Sequence, residues 1–411
     1  MDMDRISLLP NSILCDILSY LPTKQAVSTS IISHRWRHVW KDLQVLDIQY
    51  IPFLSHREDR FDSCVNAILS LRNADYPIQK FRLTSYKNSE DIILSWLDED
   101  LILPGLDAVI VPHLHELYLC IDLRRKIKLP ESIFTCVSLK SLVLNRNIYL
   151  NCYPEFPNVY LPSLKNLELD FLSVNPSKLL SGSPVLEILK LTLHNTTREG
   201  FHVHEPTIQM PRTLKSLTFE DCTSLMEKID VREIYTPFLE YLHMRTEASG
   251  NIHSHFLKYE TTQCLFSAPA FEFPEFLRLL KLEVDLPCFN TNFLLNFLHN
   301  CHVLEALVIH IWGGYYFHPV KYNGPTPPPT TVPNCVTSCL KSFEFRKYQD
   351  TADEHEFTAY LLQKGLVLKT VTIHLKYNLD QETKCNIVRG LSAIQKGSTI
   401  CQLTFINENP I

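Results

Sequence analysis

A leucine frame of the form Leu-x-x-Leu-x-Leu returns along most of this chain and constrains its fold more than any other feature. Complete copies begin at Leu114, Leu139, Leu164 and Leu186. Looser copies follow at Leu214/Leu217/Phe219, Leu239/Leu242/Met244, Leu277/Leu280/Leu282 and Leu304/Leu307/Ile309. The first six copies are 22–28 residues apart. A repeat of that period forms a short strand with a return segment, and it buries its apolar side only by stacking on its neighbours.

Period and frame are those of a leucine-rich-repeat solenoid, so we expect an α/β fold in which parallel strands lie side by side. The step into the copy at Leu277 is 38 residues, which indicates an insertion in that repeat. Because side chains alternate along a strand, the leucines are expected to point inward and the residues between them outward. Polar outward positions are candidates for binding a target protein. The foremost candidates are Glu168, Asp170, Tyr241, His243 and Arg245.

Composition and charge carry no nucleic-acid or membrane signature. The 411 residues exceed the size of one globular core. Lys and Arg number 39 against 45 Asp and Glu, and the net charge of −6 offers no electrostatic footprint for nucleic acid. No apolar run approaches the roughly 18 residues of a membrane helix, and the N-terminal residues are not a signal peptide. The 13 scattered cysteines are then expected to be reduced thiols in a cytoplasmic or nuclear protein.

Residues 5–48 depart from the repeat rhythm and carry helical patterns. A first helix is predicted to begin at Asn11 or Ser12, with an apolar stripe at helical spacing and a stop near Pro22. A second apolar pattern follows, and then two tryptophans spaced i, i+4. A segment this short, with this much apolar surface, cannot fold around itself. It either caps the repeats or docks on a partner.

The same segment resembles an F-box of the form common in plant proteins. The match runs in order through Leu9-Pro10, Ile13-Leu14, Ile17-Leu18, Leu21-Pro22-Thr23, Ala26-Val27 and Arg35-Trp36-Arg37-x-x-Trp40. Ser28 and His34 depart from it, standing where Arg and Lys are common. The resemblance implies docking on a Skp-family adaptor and, through it, on a cullin, by an apolar helical surface seated in a groove. Carried over by position, the residues that would make this contact or hold its shape are Leu9, Pro10, Ile13, Leu14, Ile17, Leu21, Pro22, Trp36 and Trp40.

The chain between 311 and 335 is rich in glycine and proline and predicts a loop or linker. Beyond it the frame resumes at Leu340/Phe343/Phe345 and Leu368/Val371/Ile373. Helices are predicted near 356–361 and over 380–396, and a last strand at Leu403-x-Phe405. This block resembles the FBD module at the carboxy end of many plant F-box proteins, through Val332-Pro333-x-Cys335, Leu340-Lys341-Ser342, Glu354-x-Glu356-Phe357, Tyr360-Leu361-Leu362, Leu368-Lys369 and Gly397-Ser398-x-x-Cys401. Gly365 departs from the pattern. The resemblance implies a segment that prolongs or caps the solenoid.

Residues able to carry catalysis or hold a metal are sparse and lack a recognisable arrangement. Three His-x-His pairs, beginning at His113, His202 and His253, have no further ligands nearby at metal-site spacing. Cys335-x-x-x-Cys339 lacks a second pair of ligands, and the ten glycines include no phosphate-cradling loop. We therefore expect no catalytic residue, no metal and no cofactor in this chain. Any part in ubiquitin transfer would consist of bringing a target close to the reaction.

These patterns predict a helical F-box over residues 1–50, leucine-rich repeats over 51–334 and an FBD-like α/β cap over 335–411. The predicted function is a non-catalytic substrate-recognition subunit of a Skp–cullin–F-box ubiquitin ligase. It would dock the adaptor by its F-box and an unidentified target protein by its repeats. The alternative is a leucine-rich-repeat interaction scaffold without a role in ubiquitin ligation. Since the repeats would bury their own leucines, residues 53–411 are expected to fold without the F-box.

Overall fold

The computed structural model confirms a mixed α/β architecture with parallel strands. The chain divides into two compact units, Met1–Leu186 and Glu187–Ile411. The structure describes residues 6, 8–50, 59–85, 101–102, 113–121, 127–146, 148–149, 158–171, 176–193, 210–221, 236–246, 274–286, 289–312 and 331–408.

The described α-helices are short and lie mainly at the two ends of the chain. They are α1 (Asn11–Leu18), α2 (Thr23–Ser28), α3 (Trp36–Val39), α4 (Asp59–Leu71), α5 (Ser177–Ser181), α6 (Thr291–His299), α7 (Asn334–Ser338), α8 (Ala352–Lys364) and α9 (Gln381–Ser392). Turns of 3₁₀ helix lie at Thr29–Ile31, Trp40–Asp42 and Glu131–Thr135. The start of α1 at Asn11, the helix around 356–361 and the helix within 380–396 are as predicted.

The described strands recur at the repeat period, and most are six residues long. They are β1 (Val45–Tyr50), β2 (Lys80–Ser85), β3 (Leu101–Ile102), β4 (Glu116–Ile121), β5 (Ile127–Lys128), β6 (Ser141–Arg146), β7 (Ile148–Tyr149), β8 (Asn166–Phe171), β9 (Ile188–Leu193), β10 (Ser216–Asp221), β11 (Tyr241–Thr246), β12 (Lys281–Leu286), β13 (Ala306–Ile311), β14 (Ser342–Tyr348), β15 (Thr370–Leu375) and β16 (Gln402–Asn407). The last strand predicted at Leu403-x-Phe405 is therefore confirmed.

Within the first unit, β1, β2, β4, β6 and β8 pair in parallel in that order. Val45 is aligned with Lys80, Lys80 with Glu116, and Glu116 with Ser141, so each repeat presents the same frame position at the same height. The two-residue strands β3, β5 and β7 form a separate small parallel ladder.

Within the second unit, β9 to β16 pair in parallel in chain order. The register is continuous from β9 to β13 and shifts between Phe345 and Tyr348 in β14. Lys347, within the shifted segment, and Asp350, just after β14, have positive φ angles. The FBD-like segment thus continues the parallel sheet of this unit rather than starting a new one.

One backbone hydrogen-bonding pattern repeats at nearly every step and fixes the register. The carbonyl just before each strand accepts N–H groups from two successive residues of the next repeat, as His115 does from Lys140 and Ser141 at 2.7 and 3.0 Å. The same arrangement recurs at Gln44, Gln79, Lys140, Glu187, Lys215, Glu240, Leu280, Glu305 and Lys341. Since a slip of one residue would send every leucine to the opposite face, this pattern also maintains the core.

The frame leucines form that core, as the sequence predicted. Leu164, Leu167 and Leu169 are fully buried, and so are Phe343 and Phe345 in the later repeats. The residues between them, including those predicted to bind a target, lie half-buried on the opposite face. The core therefore follows the period-two alternation of the strands.

One repeat uses a different frame from the predicted one. Leu277 and Leu280 are 47% and 41% exposed, whereas Leu279, Leu282 and Val284 are buried. The prediction that Leu277 and Leu280 face the core is therefore wrong. Both frames fit the same spacing, and pairing of Leu282 with its neighbours in β11 and β13 decides between them. The predicted loops at 246–274 and 311–335 lie mostly outside the described residues.

Candidate functional site

The F-box helices bury one apolar face among themselves, and α2 packs against β1. Leu14 and Leu18 of α1 are buried together with Ala26 of α2. Trp36 and Trp40 retain only 5% and 6% of their accessible surface. Among the residues carried over from the F-box resemblance, Leu14, Trp36 and Trp40 therefore belong to the buried core of the segment.

Hydrogen bonds tie the buried face of the F-box to the first repeat. The N–H of Asp47 in β1 donates to Thr23 Oγ1 at 2.8 Å, and Thr23 is itself buried. The N–H of Asn73 donates to the Lys41 carbonyl at 2.8 Å, and the Arg72 guanidinium donates to the Leu43 carbonyl at 3.1 Å. The N-terminal helices are thus a cap on β1.

Arg35 fixes the start of α1. Its Nε and Nη2 donate to Asn11 Oδ1 at 3.2 and 3.0 Å, and Nη2 also donates to the Leu9 carbonyl. This clamp explains why an arginine stands directly before the buried Trp36. The two departures from the plant pattern, Ser28 and His34, are both exposed.

The opposite face of the same helices is apolar and exposed. Ile13 and Ile17, spaced i, i+4 on α1, are each 43% exposed, and Leu21 is also exposed. Tyr20 and Ile31 are 88% and 90% exposed, and Ile32 is 59% exposed. Large apolar side chains exposed together on a short segment mark an interaction surface. We call these six residues the F-box apolar face.

The structure sorts the nine predicted adaptor residues by accessibility. Ile13, Ile17, Leu21 and Pro10 are exposed, and Leu9 and Pro22 are half-buried. Sequence reasoning passed over Tyr20, Ile31 and Ile32 as contact residues. The helical pattern after Pro22 already included Ile31 and Ile32, but pattern alone does not say which apolar side chains of a short segment are left uncovered.

On the repeats of the first unit, Glu168 and Asp170 lie half-buried on the polar face of β8. Asn145 Nδ2 of β6 lies 3.5 Å from Glu168 Oε1. On the same unit Lys80 pairs with Glu116 at 2.7 Å, and the Arg82 guanidinium lies 4.5 Å from the centre of the Tyr118 ring. This part of the polar face is therefore mixed in charge.

On the second unit, Tyr241 of β11 is held by the next strand. Its hydroxyl donates to Glu283 Oε2 at 2.8 Å, and Lys281 Nζ lies 2.6 Å from Glu283 Oε1. The Lys281 ammonium also lies 5.4 Å from the centre of the Tyr241 ring. Burial, and then the Glu283 hydrogen bond, raise the pKa of the Tyr241 phenol well above its ordinary value. The phenol is thus a fixed neutral donor with its ring half-exposed.

Asp285 of β12 is placed between two histidines. Its oxygens lie 3.6 Å from His243 Nε2 and 3.5 Å from His310 Nδ1. Burial on its own would raise the pKa of the Asp285 carboxyl, but the two imidazoles hold it well below its usual value. Asp285 therefore stays ionised and orients the His243 side chain predicted to face a target.

Glu344 of β14 repeats this arrangement. Arg346 Nε lies 2.7 Å from Glu344 Oε1, and His374 Nε2 of β15 lies 3.1 Å from the same oxygen. Carboxylates on β12 and β14 thus each hold cationic or imidazole groups from their own or neighbouring strands. The polar face from β11 to β15 is a network of charged groups held in place by one another, suited to a partner with complementary polar groups.

The predicted target-binding residues fall into two groups. Glu168 and Asp170 lie on β8 in the first unit, whereas Tyr241, His243 and Arg245 lie together on β11 in the second. The latter three alternate along one strand and so share one face. Sequence reasoning missed Glu283, Asp285 and Glu344 as the groups that position this face, because only cross-strand pairing brings them beside it.

The acidic motif of the FBD-like segment has a structural part. Glu354 Oε2 accepts the N–H groups of Gln349 and Thr351 at 3.1 and 3.0 Å, and Thr351 Oγ1 accepts the Glu354 N–H, which forms a capping box at the start of α8. Glu354 is buried, and burial raises the pKa of its carboxyl despite these hydrogen bonds. Asp350, in this loop, accepts the Tyr348 hydroxyl and contacts His355 Nδ1 at 2.9 Å.

The described part of the chain offers neither a metal site nor a membrane helix. No group of three or more His, Cys, Asp or Glu side chains there is arranged to hold a metal ion. The pair beginning at His113 belongs to that part, whereas the pairs beginning at His202 and His253 lie outside the described residues. None of the described helices has the length and apolar character needed to cross a membrane.

Profiles of three protein families match successive parts of the chain. The F-box domain matches residues 6–47, and the FBD family matches residues 327–373. Between them, residues 106–257 match the family described as FBD-associated F-box protein At5g56370, LRR repeats. F-box domains are in general the segments by which proteins dock on Skp-type adaptors.

Proteins of Arabidopsis thaliana are similar to nearly the whole chain. The putative FBD-associated F-box protein At5g56820 is 28% identical, over 97% of this chain and 94% of its own length. The putative F-box/FBD/LRR-repeat protein At5g56810 is also 28% identical, over 97% and 96%. The FBD-associated F-box protein At4g10400 is 29% identical, over 98% of this chain and its entire length.

The fold defines this chain as a leucine-rich-repeat protein with an N-terminal helical F-box segment that exposes apolar side chains. The matched families and relatives show that it is similar to plant F-box/FBD/LRR-repeat proteins over nearly its whole length, in agreement with the resemblance found in the sequence.

Proposed function

We propose that this protein recruits a target protein to a Skp–cullin–F-box ubiquitin ligase. In this function the F-box docks on the adaptor, the repeats hold the target, and the chain supplies proximity rather than chemistry. Proteins of this kind are in general substrate adaptors without a catalytic site of their own. The alternative, an interaction scaffold without a role in ligation, would keep the repeats as the binding surface and leave the F-box apolar face without an adaptor.

The F-box apolar face is the observation that carries the proposal. A segment that served only as a cap would bury its apolar side chains on β1 and expose polar ones. Here the buried set already closes the core, and a second apolar set remains in contact with solvent. Such a face is suited to the groove of a partner.

Substitutions on this face test the proposal. In the full-length protein, Ile17→Glu combined with Ile31→Glu should abolish binding to a purified Skp-type adaptor. Interface anchors typically contribute about 2–4 kcal/mol each, so each loss corresponds to roughly 30- to 1000-fold in affinity. Affinity measured by biolayer interferometry and co-purification of a cullin are the readouts.

Val137→Glu is the matched control, because Val137 is a similarly exposed aliphatic residue outside the F-box. It should leave adaptor binding unchanged. Thermal unfolding should be the same for the wild type and both variants. Undiminished adaptor binding by the doubly substituted protein would contradict the docking proposal and favour the scaffold alternative.

For the target, we propose the polar face of β11 and its neighbours, with Tyr241 and Arg245 as anchors. Tyr and Arg are enriched among residues that dominate binding energy, and Tyr241 is already held in place by Glu283. Tyr241→Ala combined with Arg245→Glu should keep adaptor binding and remove one or more proteins that co-purify with the wild type. An unchanged set of co-purifying proteins would locate recognition elsewhere on the chain.

A further inference from the structure

The last strand of the second unit has an open edge. β16 pairs with β15 on one side, and the described residues place no strand on its other side. The N–H groups of Gln402 and Glu408 donate toward β15, to the carbonyls of Lys369 and Leu375 at 2.9 and 3.2 Å. By the alternation of a parallel strand, the backbone groups of Leu403, Phe405 and Asn407 therefore point away from the sheet.

This edge lacks the features by which proteins usually block edge pairing. Natural edges carry lysine, proline, a bulge or an inward-pointing charge. The six residues of β16 include no charged residue and no proline, and their register with β15 is continuous. Leu403 and Phe405, which occupy the frame positions buried in the preceding repeats, are only half-buried. The strand is thus ready to accept another strand.

A groove lies beside the open edge, between α9 and the last two strands. Its volume is about 380 Å³, and its floor is apolar, formed by Leu375, Val388 and Phe405. The charged side chains that line it are Lys384 and Arg389, both cationic. A groove of this kind is complementary to a peptide segment in which acidic side chains flank an apolar side chain.

We infer that β16 and this groove form a docking site for an extended acidic segment of a partner protein, added to the sheet as a further strand. The backbone of that segment would bond to the outward groups of Leu403, Phe405 and Asn407. Its apolar side chain would fill the groove, and its carboxylates would meet Lys384 and Arg389. Strand addition of this kind draws affinity from the backbone and specificity from the pockets.

A second copy of this chain is a less suitable occupant. Pairing of β16 with β16 of another molecule would bring a second Lys384 and Arg389 toward the first, and like charges oppose that approach. The site does not involve the F-box or the polar face of β11. The inference therefore stands whether or not adaptor docking is confirmed.

The test uses the full-length protein and two fluorescein-labelled octapeptides. The first peptide repeats Glu-Thr-Val-Thr, which places its glutamates and valines on the same face of a strand, and the second has lysine in place of each glutamate. Fluorescence anisotropy should show saturable binding of the acidic peptide and at least tenfold weaker binding of the basic one. Lys384→Glu combined with Arg389→Glu should lower the affinity of the protein for the acidic peptide at least tenfold. Equal binding of both peptides, or no effect of the charge reversal, would overturn the inference.

Backbone pairing is tested by Asn407→Pro against Asn407→Ala. Proline removes an outward N–H without removing a bond to β15, whereas alanine retains it. The proline variant should bind the acidic peptide several-fold more weakly than the alanine variant, since both lack the Asn407 side chain and differ in the backbone N–H. If the proline variant fails to fold, hydrogen exchange of residues 402–408 in the wild type replaces it. Slower exchange on adding the acidic peptide supports strand addition, and unchanged exchange overturns it.

Self-association is tested by sedimentation velocity. The wild type should remain monomeric across the concentrations used for binding. A dimer that is lost in Asn407→Pro would assign the edge to a second copy and overturn the acidic-segment proposal.

Discussion

The first and last strands of the described sheets end in opposite ways. At β1, the F-box helices cover the strand, and Leu46 and Ile48 are buried to 1% and 5% exposure. At β16, the corresponding frame residues Leu403 and Phe405 are half-buried beside an open groove. A repeat array buries its terminal core only where another element covers it. The comparison indicates that the described chain covers the core at β1, whereas at β16 the described chain leaves the strand edge open.

The F-box therefore has two distinct apolar faces, one buried and one exposed. The sequence left open whether these helices cap the repeats or dock on a partner, and the structure shows one face suited to each. This bears on the expectation that residues 53–411 fold alone. Starting the chain at residue 53 would remove β1 together with its cover and expose the edge of β2. The structure argues against independent folding of that fragment.

The largest expected effect separates the two faces of the F-box. Trp36→Ala removes a buried indole and should lower the free energy of unfolding of the first unit by about 3–5 kcal/mol. Ile17→Ala, at an exposed position, should change it by no more than about 0.5 kcal/mol. Urea unfolding followed by tryptophan fluorescence and circular dichroism measures both. Similar losses for the two variants would mean that the F-box has no separate docking face.

The C-terminal region depends on a buried polar anchor where the F-box depends on apolar packing. Glu354→Ala leaves the N–H groups of Gln349 and Thr351 without their acceptor and should cost about 2–3 kcal/mol. Glu356→Ala, two residues further along α8 and exposed, is the matched control and should change stability by at most about 0.5 kcal/mol. Thermal unfolding decides this. An equal effect at the two positions would show that the capping box is not what holds this loop.

Replacing one leucine by alanine in each terminal strand measures the difference between the covered edge at β1 and the open edge at β16. Leu46→Ala in β1 should cost about 2–4 kcal/mol, as for a buried leucine. Leu403→Ala in β16 should cost about half as much, because part of its surface is already in water. Chemical unfolding of each full-length variant gives the two values. A larger cost at Leu403 would indicate that the edge of β16 is covered in solution.

The smallest expected effect concerns Asp285 in the network of charged groups on the second unit. The folded-state pKa of Asp285 is depressed below its ordinary value of 3.8. Its stabilising contribution is therefore complete above that value and is lost as the pH falls through the depressed range below it. Asp285→Asn should reduce stability by about 1 kcal/mol at pH 7.

The measurement is urea unfolding at neutral pH and again in acid, below the ordinary pKa of an aspartate. The difference in free energy of unfolding between the wild type and Asp285→Asn should become smaller as the pH falls. Glu240→Gln, at an exposed position before β11, is the control. Its free energy of unfolding should stay close to that of the wild type at both pH values. If the difference in free energy of unfolding between the wild type and Asp285→Asn grew toward low pH, this would contradict a depressed pKa of Asp285.

Much of this protein could be predicted from its sequence. The repeat period indicated the strands and their parallel stacking, because a leucine at every frame position leaves few other ways to bury those side chains. The ordered F-box and FBD resemblances agree with the matching family profiles, since they depend on residue identity in sequence order. The alternation of side chains also placed Tyr241, His243 and Arg245 on one polar face.

Contacts between distant residues were decided only by the tertiary structure. The frame around Leu279 fits the sequence as well as the frame around Leu277, and only pairing with the adjacent strands selects it. Trp36 and Ile17 are both apolar, yet one is buried and the other exposed, because α1 packs against α3 and the turn at Trp40–Asp42 on one side only. Likewise, Asp285 contacts its two histidines across strand boundaries, and the edge of β16 is open because the described chain adds no further strand beside it.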